Sequence, residues 1–356
     1  YGMTLSALDT LYFTNGTYQT TALPNPSGTN NQILTIDENG SITWDTLINR
    51  SSAFDSQNGL TASLNNNDNF VFGANSLNHS AGAEYKFFFD QGQGAFRVGL
   101  ITNENWNTDS LGLSSFATGA DTKASGDYSI ALGTQTTATA FAATALGAET
   151  TASGLGAFAA GNQTVASGSG AIALGSETSA SKLGATALGT ATNASELGAT
   201  AIGNNSTASG LNSTALGFET VASGENATAF GAITSAEGLA ATAFGSETTA
   251  SGTYATAFGS SNEASGALST AFGYLSIASG GGATSLGLGT KAPSYAETAI
   301  GAYNTNYTPN ATTTFDSNDR LFVIGNGTGF GDQSDALSVY KNGYIELNGA
   351  LNIDGT

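Results

Sequence analysis

The stretch Gly217-Phe218-Glu219-Thr220-Val221-Ala222-Ser223-Gly224-Glu225-Asn226-Ala227-Thr228-Ala229-Phe230-Gly231 is one period of a repeat. Its glycine recurs every fourteen residues, at Gly119, Gly133, Gly147, Gly161, Gly175, Gly189, Gly203, Gly217, Gly231, Gly245, Gly259, Gly273, Gly287 and Gly301, with no insertion or deletion. A constant period marks a repeat architecture in which each unit packs mainly on its neighbours.

Positions are numbered here from each glycine. Position −1 is Leu, Ile or Phe except at Thr118 and Ala160, and −2 is Ala except at Ser285. Position −3 is mostly Thr, with Phe116, Ile130, Phe158 and Ile172 early in the run. Position −4 is Ala or Ser until Glu297, +3 is usually Thr, and +5 is Ala through Ala292. Side chains alternate across a strand, so −1 and −3 share one face while −2 and −4 share the other. Each period then holds two short strands, near −4 to −1 and +3 to +5, with turns at the glycine and near the Ser-Gly at +6/+7. A flattened two-strand coil follows. Rungs stack ~4.8 Å apart, giving a rod of roughly 65 Å. The expected interior is the −1 Leu/Phe column, because each buried Leu or Phe contributes ~1.5–3 kcal/mol. The Ala stripe at −2/−4 is then the outward face, either an oligomer contact or plain solvent surface.

The chain has 356 residues, 27 acidic against 8 basic, and a formal charge of −19. So few cations leave no surface to neutralise phosphates, which argues against nucleic acid and anionic membrane as partners. Charged residues are 10%, well under the roughly 25% usual for globular domains, so the surface is made of small polar residues. There is no cysteine, hence no disulfide or thiolate metal site, and a single histidine, His79. No apolar run approaches the ~20 residues of a membrane-spanning helix. The first residue is Tyr1, consistent with a removed leader or an upstream segment.

Outside the repeat the signals are short strands. Ile33 to Ile36 and Ser41 to Trp44 flank Asp37-Glu38-Asn39-Gly40, and Asn-Gly between β-prone runs signals a hairpin. Leu23 to Gly28 is a proline-bearing loop. Phe70 to Phe72, Tyr85 to Phe89, Ala95 to Leu100, Leu321 to Ile324 and Ala336 to Tyr340 read as strands, with Lys341-Asn342-Gly343 a second hairpin turn. The expected organisation is an N-terminal β adapter (1–50), a small β domain (51–115), the repeat (116–303) and a C-terminal β segment (304–356).

The rung Ala227-Thr228-Ala229-Phe230-Gly231, followed by Ala236, resembles the head repeat of trimeric autotransporter adhesins, the YadA-like head. The resemblance covers about half the chain. It implies an all-β fold, a left-handed parallel β-roll of about fourteen rungs assembled as a homotrimer. The flanks, Phe87-Phe88-Phe89-Asp90 with Gly94-Ala95-Phe96-Arg97, and Arg320 to Asn326 with Ala336 to Gly343, resemble modules of phage tail-fibre-like proteins and related bacterial surface fibres.

Several residue sets are candidates for chemistry. Glu149, Glu177, Glu219 and Glu247, all at +2, form the pairs Glu149/Glu177 and Glu219/Glu247, each two rungs apart, about 10 Å on the rung spacing. Paired carboxylates hydrolyse glycosides at such separations, but the spacing already follows from the repeat and a solvated rim explains it. Asn65 to Asp68 and Asp316 to Asp319 are oxygen-rich loops able to face Ca²⁺, or simply polar turns. The −3 Thr column, Thr186 through Thr298, is similar to the threonine ranks of ice-binding solenoids, although the expected face assignment turns it inward. Aromatic residues that break the pattern are the candidate receptor contacts: Phe218, Tyr254, Tyr274, Tyr295 and Tyr303.

The function expected is a non-enzymatic, extracellular, trimeric fibre segment that attaches to a cell-surface glycan or protein receptor, without cofactor, metal, nucleic acid or membrane insertion. A tail fibre and a surface adhesin remain alternatives. A structural spacer and an ice-binding solenoid are the other readings.

Overall fold

The computed structural model describes residues 82–349, residues 78–79, and the backbone of five short strands before them. The chain divides into two compact units, 1–70 and 71–356. In the first, Gln32–Ile36 pairs antiparallel with Ile42–Thr46, placing Ile36 opposite Ile42 and Leu34 opposite Trp44. This is the Asn-Gly hairpin expected from the sequence. The proline loop at 23–28 and the oxygen-rich run at 65–68 lie outside the described residues.

The second unit is a parallel β-solenoid. Every rung but the last contributes a five-residue strand, such as Thr228–Ala232, and a two-residue strand, such as Ser235–Ala236. Each residue pairs with the one fourteen positions on, as in Phe230 with Phe244 and Gly231 with Gly245. The short strands form a thirteen-stranded sheet of their own. The only helical element among the described residues is a 3-10 turn at Thr108–Ser110.

The interior is the reverse of the expected one. Buried residues of the rungs are the Ala of −2 and −4, the Thr or Ser of +3 and the Ala of +5, for example Ala227, Ala229, Thr234 and Ala236. The Leu/Phe column at −1 points outward, and Phe244 is 38% exposed. The −3 Thr column lies beside it on the same outward face. The physical reason is thickness. Fourteen residues spent on two strands and two turns bring the sheets so close that methyl-sized groups fill the gap at native density. A Leu or Phe at −2 would overpack it. The Ala stripe is therefore the core, and the large apolar side chains are left outside.

The motif glycine also differs from expectation. It lies inside the long strand, and the chain turns two residues later, where +2 adopts the left-handed region, as at Glu247 (φ 54). Gly231 has φ +131, and a Cβ built there would sit 1.8 Å from the carbonyl oxygen of Gly245. The same clash recurs along the column. Glycine is demanded by rung-to-rung approach as much as by the dihedral angle.

The long sheet continues past the repeat at both ends. Ala95–Ile101 pairs parallel with Phe116–Ala120, with Gly99 opposite Gly119. At the other end Arg320–Asn326 pairs parallel with Thr298–Ala302, with Gly325 opposite Gly301. These added strands belong to antiparallel hairpins with Glu84–Asp90 and Asp335–Tyr340. Asp335–Tyr340 also pairs with Ile345–Leu347 across the second Asn-Gly turn.

A charged side chain lies buried at each end, where the methyl-filled interior would otherwise open. Arg97 is fully buried beneath the first rung. Its Nη1 donates to the Ser115 carbonyl (3.0 Å) and its Nη2 to Ser115 Oγ and the Ala124 carbonyl (both 2.8 Å). Burial pulls its pKa down to about 10, opposed by Asp90, so it stays charged at neutral pH. At the far end Glu297 occupies the −4 position normally held by Ala and is fully buried. Its carboxylate forms an ion pair with Arg320 Nε (3.0 Å) and accepts from the Ser294 amide (2.9 Å) and the Tyr307 hydroxyl (3.3 Å). Arg320 also reaches Asp335 (3.1 Å) and lies 4.1 Å from the Tyr307 ring centre. Lys341 Nζ donates to Ser294 Oγ. Burial raises the Glu297 pKa, against the opposing pull of Arg320, Ser294 and Tyr307.

Three substitutions test this account. Gly231→Ala should cost several kcal/mol, because the new methyl meets main chain that cannot move without breaking the next rung. Thr150→Val should be neutral or stabilising, since Thr150 Oγ1 is buried without a hydrogen-bond partner and valine keeps the shape. Melting temperatures that rank the two the other way would refute the interior. Glu297→Gln tests the far end. A raised folded pKa means stability falls as pH rises from 4.5 through that pKa. The Gln variant lacks this loss, so its melting temperature relative to wild type should climb across that window. A flat difference would show that Glu297 does not titrate there.

Candidate functional site: an outward apolar face and its aromatic borders

The long strands present −3 and −1 outward, with +1 at the border of that face. None of these positions carries a charge from Phe116 to Ala302, in a chain of net charge −19. The charged residues of the rungs sit on the turns and the short sheet, as with Glu247 and Glu263. Two rungs of the outward face show an exchange of bulk between its columns. Where −1 shrinks to Thr118 or Ala160, −3 is Phe116 or Phe158. A solvated face has no need of such compensation, whereas a face with a fixed gap to fill does.

Phe230, Phe244, Phe258 and Phe272 form a ladder of nearly parallel rings, with centroids 4.8, 4.8 and 5.0 Å apart. The stacking expected from register is present, but on the outside. A second apolar rank, Leu155, Leu183, Leu197, Leu211 and Leu239 at +8, runs along the turn beside the −3 column. These leucines carry no signal except their recurrence, and the sequence reading passed over them.

The five candidate receptor residues fall in different places. Phe218, Tyr274 and Tyr303 lie on or next to the +1/+2 edge, whereas Tyr254 and Tyr295 lie on the opposite +8/+9 edge. The structure adds three neighbours. Leu288 pairs with Tyr274. The Phe330 ring lies 5.2 Å from the Tyr303 ring at 75°. Ile233, 50% exposed, donates its amide to the Phe218 carbonyl (2.8 Å). Phe330 had a readable signal, an aromatic residue between glycines in Gly329-Phe330-Gly331.

The other sets do not converge. Glu149, Glu177, Glu219 and Glu247 are exposed on left-handed turn residues. Glu149 takes a hydrogen bond from Gln163 and Glu247 from Ser261, each one rung away. Asp319 accepts the Asn310 and Ala311 amides, and Asp316 accepts the Asn318 amide, so these carboxylates brace the 304–319 loop. No group of three or more metal-ligating side chains occurs among the described residues.

The family model of the YadA head domain repeat matches residues 110–136, 138–164, 152–178, 180–206, 208–232, 236–262 and 264–290. Residues 110–290 are a run of YadA head repeats. The head-repeat family is a structural adhesin domain, not an enzyme family, and it belongs to trimeric autotransporter adhesins at the cell surface. No curated protein matches the chain at a significant level. No helix among the described residues is long and apolar enough to cross a membrane.

One residue of the head repeats is held at a cost. Ile233 is β-branched yet has φ 56, a conformation disfavoured by roughly 1–2 kcal/mol. It recovers little of this by burial. Asn205 fills the same +2 position with φ 54, and asparagine tolerates that region. Ile233→Asn should therefore raise stability by about 0.5–1 kcal/mol, measured by chemical denaturation. A loss of stability would show that Ile233 packs usefully within its own chain.

Proposed function

We propose that the protein is the head segment of a homotrimeric surface fibre that attaches to a cell-surface receptor. The observation that carries this reading is the uncharged apolar face along the whole roll. Turned to water it is a long, flat aggregation hazard. Turned to a second copy, the −1 column is covered and the uncharged threonines beside it bring no buried charge to the contact. The −1 stripe and the +8 leucine rank flank the −3 column, which suits a head-to-tail contact closing around a three-fold axis. The negative charge stays on the remaining faces and keeps the rod soluble.

The surface-adhesin reading is the one put forward here. The tail-fibre resemblance of the flanks gains no support from the family match. The −3 threonines do face outward, which removes the first objection to ice binding, but they share the face that assembly covers. Recognition belongs where the surface stops repeating, at the aromatic borders and the end segments, because successive rungs present nearly the same small side chains. Phe218, Tyr254, Tyr274, Tyr295 and Tyr303 stay the candidate contacts.

Light scattering of the purified chain should give about three times the chain mass. Phe244→Asp would place a carboxylate on the contact face of every copy, and an unpaired charge at a buried interface costs several kcal/mol. The expected result is a shift to lower mass and loss of attachment to cells, with the β-sheet signal retained longer than the trimer. A stable folded monomer of the wild type at micromolar concentration would overturn the reading.

A further inference from the structure

The C-terminal border carries a built aromatic platform. Tyr303 has φ 42, and its ring lies directly over Gly289, where a Cβ would come within 2.5 Å of it. Gly289 is the +2 residue of its rung and the one +2 position of the repeat without a side chain, so the ring rests where that side chain would be. One rung back, Tyr274 is half exposed beside Leu288. The amide of Gly289 donates to the Tyr274 carbonyl (2.8 Å) and that of Tyr303 to the Leu288 carbonyl (2.9 Å), fixing three successive rungs as one unit.

Phe330 completes the platform from the tip of a turn and is 60% exposed. The turn is rigid. The Thr328 amide donates to the Asp332 carbonyl and the Asp332 amide to the Gly329 carbonyl, both at 3.0 Å. Thr328 Oγ1 donates to Asp332 Oδ2 (2.6 Å). Its neck is tied to the platform, with the Gly327 amide on the Ala302 carbonyl and the Ser334 amide on the Tyr303 carbonyl (both 3.0 Å). Leaving a phenylalanine in water forgoes stabilisation that burial would supply. A turn this well held, with its aromatic residue displayed outward, is pre-organised for a ligand.

We propose that Tyr274, Tyr303 and Phe330 form a binding site for a neutral hexose-containing glycan. This inference rests on the attachment reading and names its ligand class. The C–H face of a pyranose is weakly positive and stacks on the negative face of an aromatic ring. Two rung spacings, about 10 Å, separate the Tyr274 and Tyr303 levels, a span that suits two linked sugars. The polar groups at the rim are oxygen-rich: Thr328, Asp332 and Asn326 are all exposed, and a carboxylate and an amide oxygen accept sugar hydroxyls. The charged group in the turn is a carboxylate, in a chain of charge −19. Sialylated or sulfated sugars would meet repulsion there.

The test uses the wild-type assembly on an array of neutral, amino-bearing, sialylated and sulfated glycans. Saturable binding to neutral hexose glycans is expected. Phe330→Ala should weaken it at least tenfold while the melting temperature holds, since the turn is kept by main-chain bonds. Gly289→Ala, which displaces the Tyr303 ring, should weaken it as well. Binding confined to sialylated or sulfated glycans, no binding to any glycan, or both variants within twofold of wild type would each overturn the proposal. Attachment to cells provides the separate readout. If the trimer binds cells and loses them to protease but not to periodate, a protein receptor replaces the sugar while the fibre reading stands. If it neither trimerises nor attaches, that reading fails first.

Discussion

The whole architecture depends on how closely successive backbones approach at the motif glycine. With the Gly245 carbonyl oxygen 1.8 Å from where a Gly231 Cβ would be, no side chain fits in that column. The rung is held flat and in register by its neighbour, and every other column inherits the fourteen-residue phase. The same flatness sets the thickness of the interior, which admits Ala and Thr but not Leu. Stability then comes from the hydrogen-bonded ladders and dense small-residue packing summed over many near-identical interfaces. A single large anchor is not needed.

A core made of methyl groups moves the hydrophobic problem outward. Each rung still carries one or more large apolar side chains, and with the interior closed to them they cover one external face. That face has no charge over its length and compensates volume between −3 and −1. Folding of the rung and assembly of the fibre are thereby linked. The methyl interior is what makes the chain thin, and thinness is what leaves an apolar surface for a second copy. In an ordinary globular domain the same leucines and phenylalanines would be the core and would carry no information about assembly.

Much of this was legible in the sequence. Period, parallel in-register stacking, the two-strand rung and both Asn-Gly hairpins follow from spacing and turn chemistry alone. The direction of the faces did not, because the rule that large apolar residues go inside holds for chains with room inside. The sequence did contain the counter-signal. Positions −4, −2 and +5 are Ala or Ser almost without exception, while −1 drifts between Leu, Ile, Phe, Thr and Ala. A column that tolerates both Phe and Ala is not a tightly packed interior. The aromatic platform was half legible. Tyr274 and Tyr303 stand out as breaks in the pattern, but Phe330 joins them only through the 304–319 excursion that returns Arg320–Asn326 to the sheet.

The polar groups inside the roll follow the same logic of space. In the early rungs the +3 hydroxyls of Thr136, Thr150, Thr164 and Thr178 are buried without partners, while the smaller Ser206 and Ser276 further on reach the Gly217 and Gly287 carbonyls (2.9 and 3.0 Å). Threonine is held at +3 by the packing of its methyl, and its hydroxyl is tolerated. At the ends the priorities reverse. There the carbonyls of Ser115 and Ala124, which already accept the Phe96 and Gly112 amides, lie next to a fully buried charged side chain, and a buried charge without hydrogen bonds is costly. Their second lone pairs accept the one Arg97 guanidinium, a geometry that a lysine could not reproduce. At the other end Arg320 forms ion pairs with both Glu297 and Asp335. Buried charge is destabilising within a methyl core and useful at its boundary, which is why the irregular residues of this chain gather where its repeat begins and ends.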